Sequence, residues 1–334
     1  MRVGAGAHQY EVAEPWELGI EGPSPDVAGV AVNSRDEVHV LTRSPHPVKV
    51  FDRRGRFLRT WGEGVFTTTH GIHIGPDDCV YVVDSGDSSV RKFSPAGELL
   101  WQLGGPDRRS DTGYRDSDYR TIERGAAPFN APTNIAVAPT NDIYVSDGYG
   151  NARVHRFAED GTLIDSWGGP GRGPGEFHIP HGVFVDRRGT VYVADRENDR
   201  IQRFSPTGDF IDEWTDVRRP DTVFVTDDDQ VYVAELGYWG GIVPGLAAPT
   251  ATSLPSRVTV RDQSGRVLTT LGADDREDRS PCAPGNFFAA HGICVDARGS
   301  VYVGEVIAAT GKRQEGEIGW VPRTCHALQV FHRV

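Results

Sequence analysis

Long apolar runs are missing from this 334-residue chain, and no stretch is long enough to cross a bilayer as a helix. The opening residues, MRVGAGAHQYEVAEP, lack the apolar core of a secretory leader, so a soluble cytoplasmic protein is the expectation. Basic residues are outnumbered: 35 Lys and Arg stand against 47 Asp and Glu, a formal net charge of -12. That deficit argues against nucleic acid or an anionic membrane as a partner. Cysteine is scarce and dispersed, at Cys79, Cys282, Cys294 and Cys325, with no CxxC pair. No zinc-thiolate spacing is present, the four thiols are expected to be reduced, and Cys79 and Cys294 fall on predicted strands as small buried hydrophobes.

Glycine and proline are plentiful, 40 and 22 residues, which suits a fold dense in tight turns. Residues 177–210, FHIPHGVFVDRRGTVYVADRENDRIQRFSPTGDF, show the pattern. Alternation predicts strands over 182–186, 190–195 and 200–205, divided by RRG and PTG turns, with a fourth strand over 209–214. Four antiparallel strands in about forty residues make one propeller blade. Five further copies align on it. The second strands, for example, read EVHVLT, CVYVVD, DIYVSD, TVYVAD, QVYVAE and SVYVGE. An all-β, six-bladed β-propeller forming a single domain over 1–334 is therefore predicted. Its blades lie near 26–62, 68–104, 129–168, 177–215, 219–272 and 289–334. The last blade lacks a fourth strand, which residues 8–18 are expected to supply, closing the ring. Insertions at 105–128, 237–256, 273–288 and 306–324 interrupt the repeat, and Tyr238 and Trp239 in the second could wall a pocket.

One column of the alignment carries chemistry. The residue before each predicted first strand is Ala28, His70, Thr133, His181, Asp221 and His291. The first strands of a propeller line its axis, and alternate blades sit about a third of a turn apart, so the three imidazoles should converge. A lone histidine is more often a packed core residue, but three of eleven on one column and on alternate blades point to a metal. Three neutral imidazoles with an open fourth position describe a catalytic zinc site. By contrast His73, His155 and His178 do not share the pattern and are expected to be structural. A second column closes the second strands: Asp84, Asp147, Asp195, Glu235 and Glu305 recur there and are expected to bond backbone amides or neighbouring blades. Arg43, Arg196 and Tyr149 follow that column in their blades and should rise on the metal's face, where a phenol can act as a base and guanidiniums can hold a carboxylate.

Residues 129–157 (FNAPTNIAVAPTNDIYVSDGYGNARVHRF) and 173–204, with their SDGY and VADREN turns, closely resemble the peptidyl-α-hydroxyglycine α-amidating lyases, six-bladed propellers of NHL repeats. The similarity covers essentially the whole chain. It implies zinc on His70, His181 and His291, a catalytic Tyr149, and active-site arginines at Arg43 and Arg196. It also implies cleavage of the C–N bond of an N-acyl-α-hydroxyglycine to an amide and glyoxylate. Three positions depart from the family. The structural calcium site would use the carbonyls of Val30 and Ile72 and an aspartate after the third histidine, but that residue is Gly292. A methionine two residues before the third histidine is Ala289, and a disulfide cysteine in the SDGY turn is Gly150. The expected partner is a small-molecule or peptide-like substrate bearing a carboxylate, handled by a monomer. Two other classes compete: a metal-dependent hydrolase or hydratase using Asp221 as proton acceptor, and a non-catalytic NHL propeller that binds another macromolecule.

Overall fold

The computed structural model describes residues 1–19, 26–238, 254–272, 280–310 and 325–334. The chain is a six-bladed β-propeller, with six antiparallel sheets, five of four strands and one of five. Burial is least in the outermost strand of each blade. The second strands, such as Val80–Asp84, Ile143–Asp147 and Val191–Asp195, are buried along their whole length. Fourth strands such as Phe57–Trp61 and Leu163–Trp167 are largely exposed. Val and Tyr dominate the second strands because β-branched and aromatic side chains fill both faces of a pleated strand packed between neighbouring sheets.

The chain divides into two compact units. Gly62–Asp227 holds the second, third and fourth blades and the first strand of the fifth. Met1–Trp61 with Asp228–Val334 holds the first and sixth blades and the remaining strands of the fifth. In the sixth blade, strand His8–Val12 pairs with Leu328–Arg333, so an N-terminal strand completes the C-terminal blade as expected. A further strand, Arg2–Ala5, adds to that edge and was not foreseen.

Two expectations are corrected. The thiols are not all reduced: Cys282 and Cys325 form a disulfide, with Cα atoms 4.3 Å apart across 43 residues of sequence. Nothing in the spacing signals the pair, because it depends on the sixth sheet folding residue 325 back towards residue 282. Cys79 and Cys294 are free and buried, and burial pushes their thiols up to about 11 and about 12. The second correction concerns the column. In five blades its residue lies inside the first strand rather than before it, as in Thr69–Ile74, Pro180–Val185 and Ala290–Val295. Each histidine sits where the ladder register slips, between Thr69 and Gly71, Pro180 and Gly182, and Ala290 and Gly292. A bulge of this kind leaves one residue out of the pairing and re-aims its side chain. Alternation alone places such a residue at the strand's edge.

Candidate metal and tyrosine site

The carboxylates ending the second strands prepare the segments that carry the histidines. Asp84 accepts the amides of Thr67 (2.6 Å) and Thr68 (2.8 Å), Asp195 accepts that of His178 (2.8 Å), and Glu305 accepts those of Phe288 (2.8 Å) and Ala289 (3.0 Å). Burial raises two of these acids, Asp195 to about 6 and Glu305 to about 7. Arg200 answers Asp195 at 2.8 Å, whereas Glu305 accepts from the neutral Gln329 amide at 2.9 Å. The expectation that these acids bind backbone amides is met at Asp84, Asp147, Asp195 and Glu305, and Glu235 accepts from the side chains of Arg257 and Thr259, both at 2.7 Å.

In the unit Gly62–Asp227, His70, His181, Tyr149, Arg196 and Asp221 come together. His70 Nδ1 lies 2.6 Å from the Thr133 carbonyl oxygen and His181 Nδ1 lies 3.0 Å from that of Asp221. A carbonyl oxygen only accepts, so Nδ1 is the protonated nitrogen in both rings and each neutral Nε2 offers a lone pair. Both Nε2 atoms face the same phenol: Tyr149 Oη is 2.9 Å from His70 Nε2 and 3.1 Å from His181 Nε2. The two rings are 4.8 Å apart and buried. The two imidazole lone pairs thus converge on one point, an arrangement that suits a divalent cation.

Behind His181 lies a buried ionic network. Asp221 Oδ1 is 3.3 Å from His181 Nδ1 and 3.4 Å from Arg196 Nη1. Glu197 Oε1 accepts from both Arg196 Nε (2.9 Å) and Arg219 Nη2 (2.7 Å). The Arg196 guanidinium stands 5.6 Å over the Tyr149 ring. Burial works against the charge on Arg196, but Tyr149, Glu197 and Asp221 outweigh it and hold the guanidinium above its usual range. Burial likewise pushes Asp221 up to about 6 against the pull of Arg196 and Arg219. Glu197 falls below the usual carboxylate range because Arg219 and Arg196 overcome its desolvation. Sequence reading missed Glu197 and Arg219. Glu197 is visible in the VADREN turn, but Arg219 follows no repeat, and its left-handed backbone (φ 46°) shows only in three dimensions. The His178 carbonyl accepts the Glu197 amide at 3.0 Å, so His178 borders this network, and Tyr119, from the 105–128 insertion, lays its ring 5.7 Å from that of His178. His155, in contrast, is structural, bound to Ser166 Oγ at 2.7 Å and Asp147 at 3.4 Å.

In the other unit, His291 repeats the same local geometry: it is buried and its Nδ1 lies 2.8 Å from the Ala28 carbonyl oxygen, again leaving Nε2 as the acceptor. Each of the three buried histidines is thus in the tautomer that can ligate a metal through Nε2. Arg43 pairs with Asp26 at 3.2 Å, and Tyr238 is buried in an antiparallel bridge with Leu254. Trp239 lies outside the described residues. The calcium site is not supported. A Cβ on Gly292 would lie 2.6 Å from Gly29 Cα, so this backbone has no room for the missing carboxylate, and Val30 and Ile72 sit in ordinary ladder pairs with Val40 and Val82.

Comparison with known proteins bears on this site. Residues 126–233 match a family model described as a 6-bladed beta-propeller. NHL repeat-containing protein 3 from Homo sapiens is 33% identical over 246 residues, covering 69% of this chain and 67% of the relative. This chain belongs to the NHL-repeat propeller family that includes that protein. Its homologues also include the peptidyl-alpha-hydroxyglycine alpha-amidating lyases. Lyase 1 of Drosophila melanogaster is 29% identical over 268 residues, which are 75% of this chain but 45% of the fly protein. Among solved structures, a streptogramin B lyase superposes with a TM-score of 0.59 over 96% of this chain and 97% of its own, at 13% identity, a likeness of fold. Among the described residues, no helix is long and apolar enough to cross a membrane.

Proposed function

We propose that this chain is a zinc-dependent carbon–nitrogen lyase that cleaves an N-acyl-α-hydroxyglycine, or a related carbinolamide, to an amide and glyoxylate or another aldehyde. The observation that carries the reading is the Tyr149 hydroxyl suspended between His70 Nε2 and His181 Nε2, with both rings locked from behind by backbone carbonyls. His291, matched to them in burial and in its Nδ1 partner, is the proposed third ligand. When bound, zinc would supply Lewis acidity towards the substrate's oxygens. Tyr149, as phenolate, would take the proton of the substrate hydroxyl. The carbonyl forms, the C–N bond breaks, and the departing amide nitrogen takes a proton. Arg196, stacked on the Tyr149 ring, would steady charge on the phenol. Because Glu197 and Asp221 already neutralise Arg196 within the buried network, that role suits it better than gripping a substrate carboxylate. Arg43 is assigned to the site on the family resemblance.

The hydrolase or hydratase alternative loses ground because Asp221 stands on the Nδ1 side of His181, away from the nitrogen that would bind a metal. A monomer acting on a carboxylate-bearing small molecule remains the proposed partner arrangement. The proposed cytoplasmic location has the Cys282–Cys325 bridge against it, since disulfides persist mainly in oxidising compartments. The test is incubation of zinc-loaded protein with α-hydroxyhippurate, following benzamide and glyoxylate. Equal yields of both above the uncatalysed rate are expected. Benzoate in place of benzamide would convict a hydrolase, since the α-hydroxyglycine it leaves collapses to glyoxylate and ammonia, and no product would remove the lyase reading.

A further inference from the structure

The Tyr149 turn is gripped from outside its own blade by the insertion before it. Thr112 Oγ1 donates to the Gly150 carbonyl oxygen at 2.6 Å and accepts from Asn130 Nδ2 at 3.3 Å. Asn130 Nδ2 also reaches the Ser110 carbonyl oxygen (3.1 Å), while its own carbonyl accepts from Gly150 N at 2.9 Å. On the far side of the turn, Asn151 Nδ2 donates to the Ala126 carbonyl oxygen at 2.6 Å, and Ala126 N returns a bond to Asn151 Oδ1 at 3.3 Å. Thr112, Asn130 and Asn151 are buried, so these bonds form away from competing water. Gly150 permits the close approach, since a Cβ there would lie 2.5 Å from Asn130 Oδ1. Both anchors directly follow Tyr149, whose hydroxyl meets two imidazoles at 2.9 and 3.1 Å.

We propose that residues 110–126 are a clasp that sets the position of the Tyr149 hydroxyl, with Thr112 as its positioning residue. The placement needs such a device: a turn following a strand end is ordinarily the mobile part of a blade, and a displacement of about 1 Å at a reacting group can cost on the order of a hundredfold in rate. Removing the Thr112 hydroxyl takes from the Gly150 carbonyl its side-chain donor in a buried place and leaves the Asn130 amide with the Ser110 carbonyl, a loss the turn can relieve by moving. The kinetic part of the claim rests on the lyase reading above. The structural part does not.

Thr112→Val keeps the side chain's shape and removes only the hydroxyl, and Thr112→Ser restores it. In the zinc-loaded full chain, Thr112→Val is expected to speed amide hydrogen exchange across residues 148–151 by about tenfold or more. It should lower kcat for glyoxylate release about tenfold, with KM within about twofold. Bound zinc should be unchanged, and Thr112→Ser should recover both exchange and kcat. Exchange at 148–151 that does not change in Thr112→Val overturns the clasp. So does faster exchange with unaltered kcat in an active enzyme. If wild type releases no glyoxylate, the lyase reading falls while the exchange measurement still decides whether the clasp exists. Should Thr112→Val fail to fold, Thr112→Ala supplies the same comparison.

Discussion

The even and odd blades make an instructive contrast. Blades two, four and six place His70, His181 and His291 at the bulge of their first strands. Blades three, five and one place Thr133, Asp221 and Ala28 at the equivalent position, and each gives its backbone carbonyl to the Nδ1 of the preceding histidine. One set supplies the imidazole, and the other fixes its tautomer and rotation. The pairing needs a very close approach, and the glycine after each histidine provides it. A Cβ on Gly71 would lie 2.8 Å from the Thr133 carbonyl oxygen, and one on Gly182 would lie 2.4 Å from that of Asp221. A repeat of nominally identical blades thus becomes a site by alternating two roles that differ in one side chain. The carbonyl role is indifferent to side chain, which is why alanine, threonine and aspartate can all fill it.

The largest effect should come from breaking the imidazole role. His181→Ala is expected to reduce bound zinc from about one per chain to less than about a tenth of that, measured by mass spectrometry after gel filtration. Retention of full zinc would dissolve the distinction between the two sets of blades. Next, Tyr149→Phe should keep its zinc and lose on the order of a hundred- to ten-thousandfold in turnover; a fully active variant would remove the proposed base. Gly182→Ala attacks the contact between the two roles. It should destabilise the chain by roughly 1–3 kcal/mol in urea titration and weaken zinc binding by about ten- to a hundredfold. Thr133→Val, which leaves the carbonyl in place, should change zinc affinity by less than about tenfold.

The smallest effect concerns pH. Glu305, held at about 7 by burial, binds its proton more tightly in the folded chain than unfolded. The folded state therefore holds more protons between the ordinary glutamate pKa and about 7, and stability should fall as pH rises through that window. The drop is on the order of 3 kcal/mol at most. Glu305→Gln should flatten that part of the curve in denaturant titrations at pH 5 and pH 7.5. An unchanged slope would mean that Glu305 binds its proton no more tightly in the folded chain than in the unfolded one.

Much of this was legible in one dimension. Strand alternation, turn glycines and a roughly forty-residue period determine a six-bladed propeller, because each sheet's two faces must be buried against neighbours of the same pattern. The same period put three histidines, and the acids ending the second strands, on shared columns. What the chain alone did not reveal is of another kind. The bulge that turns each histidine and the carbonyl behind it lie on the shared column, but their contact depends on how neighbouring strands pack, and the Glu197–Arg219 support of Arg196 and the grip of Thr112 on Gly150 join residues with no periodic relation. The Cys282–Cys325 bridge belongs with them, for its 43-residue separation carries no spacing signal. Periodicity reports which face of a strand is buried, and so it determines the fold. Distances of 2.6–3.1 Å between groups far apart in sequence depend on how whole blades pack, and only the tertiary structure decides them.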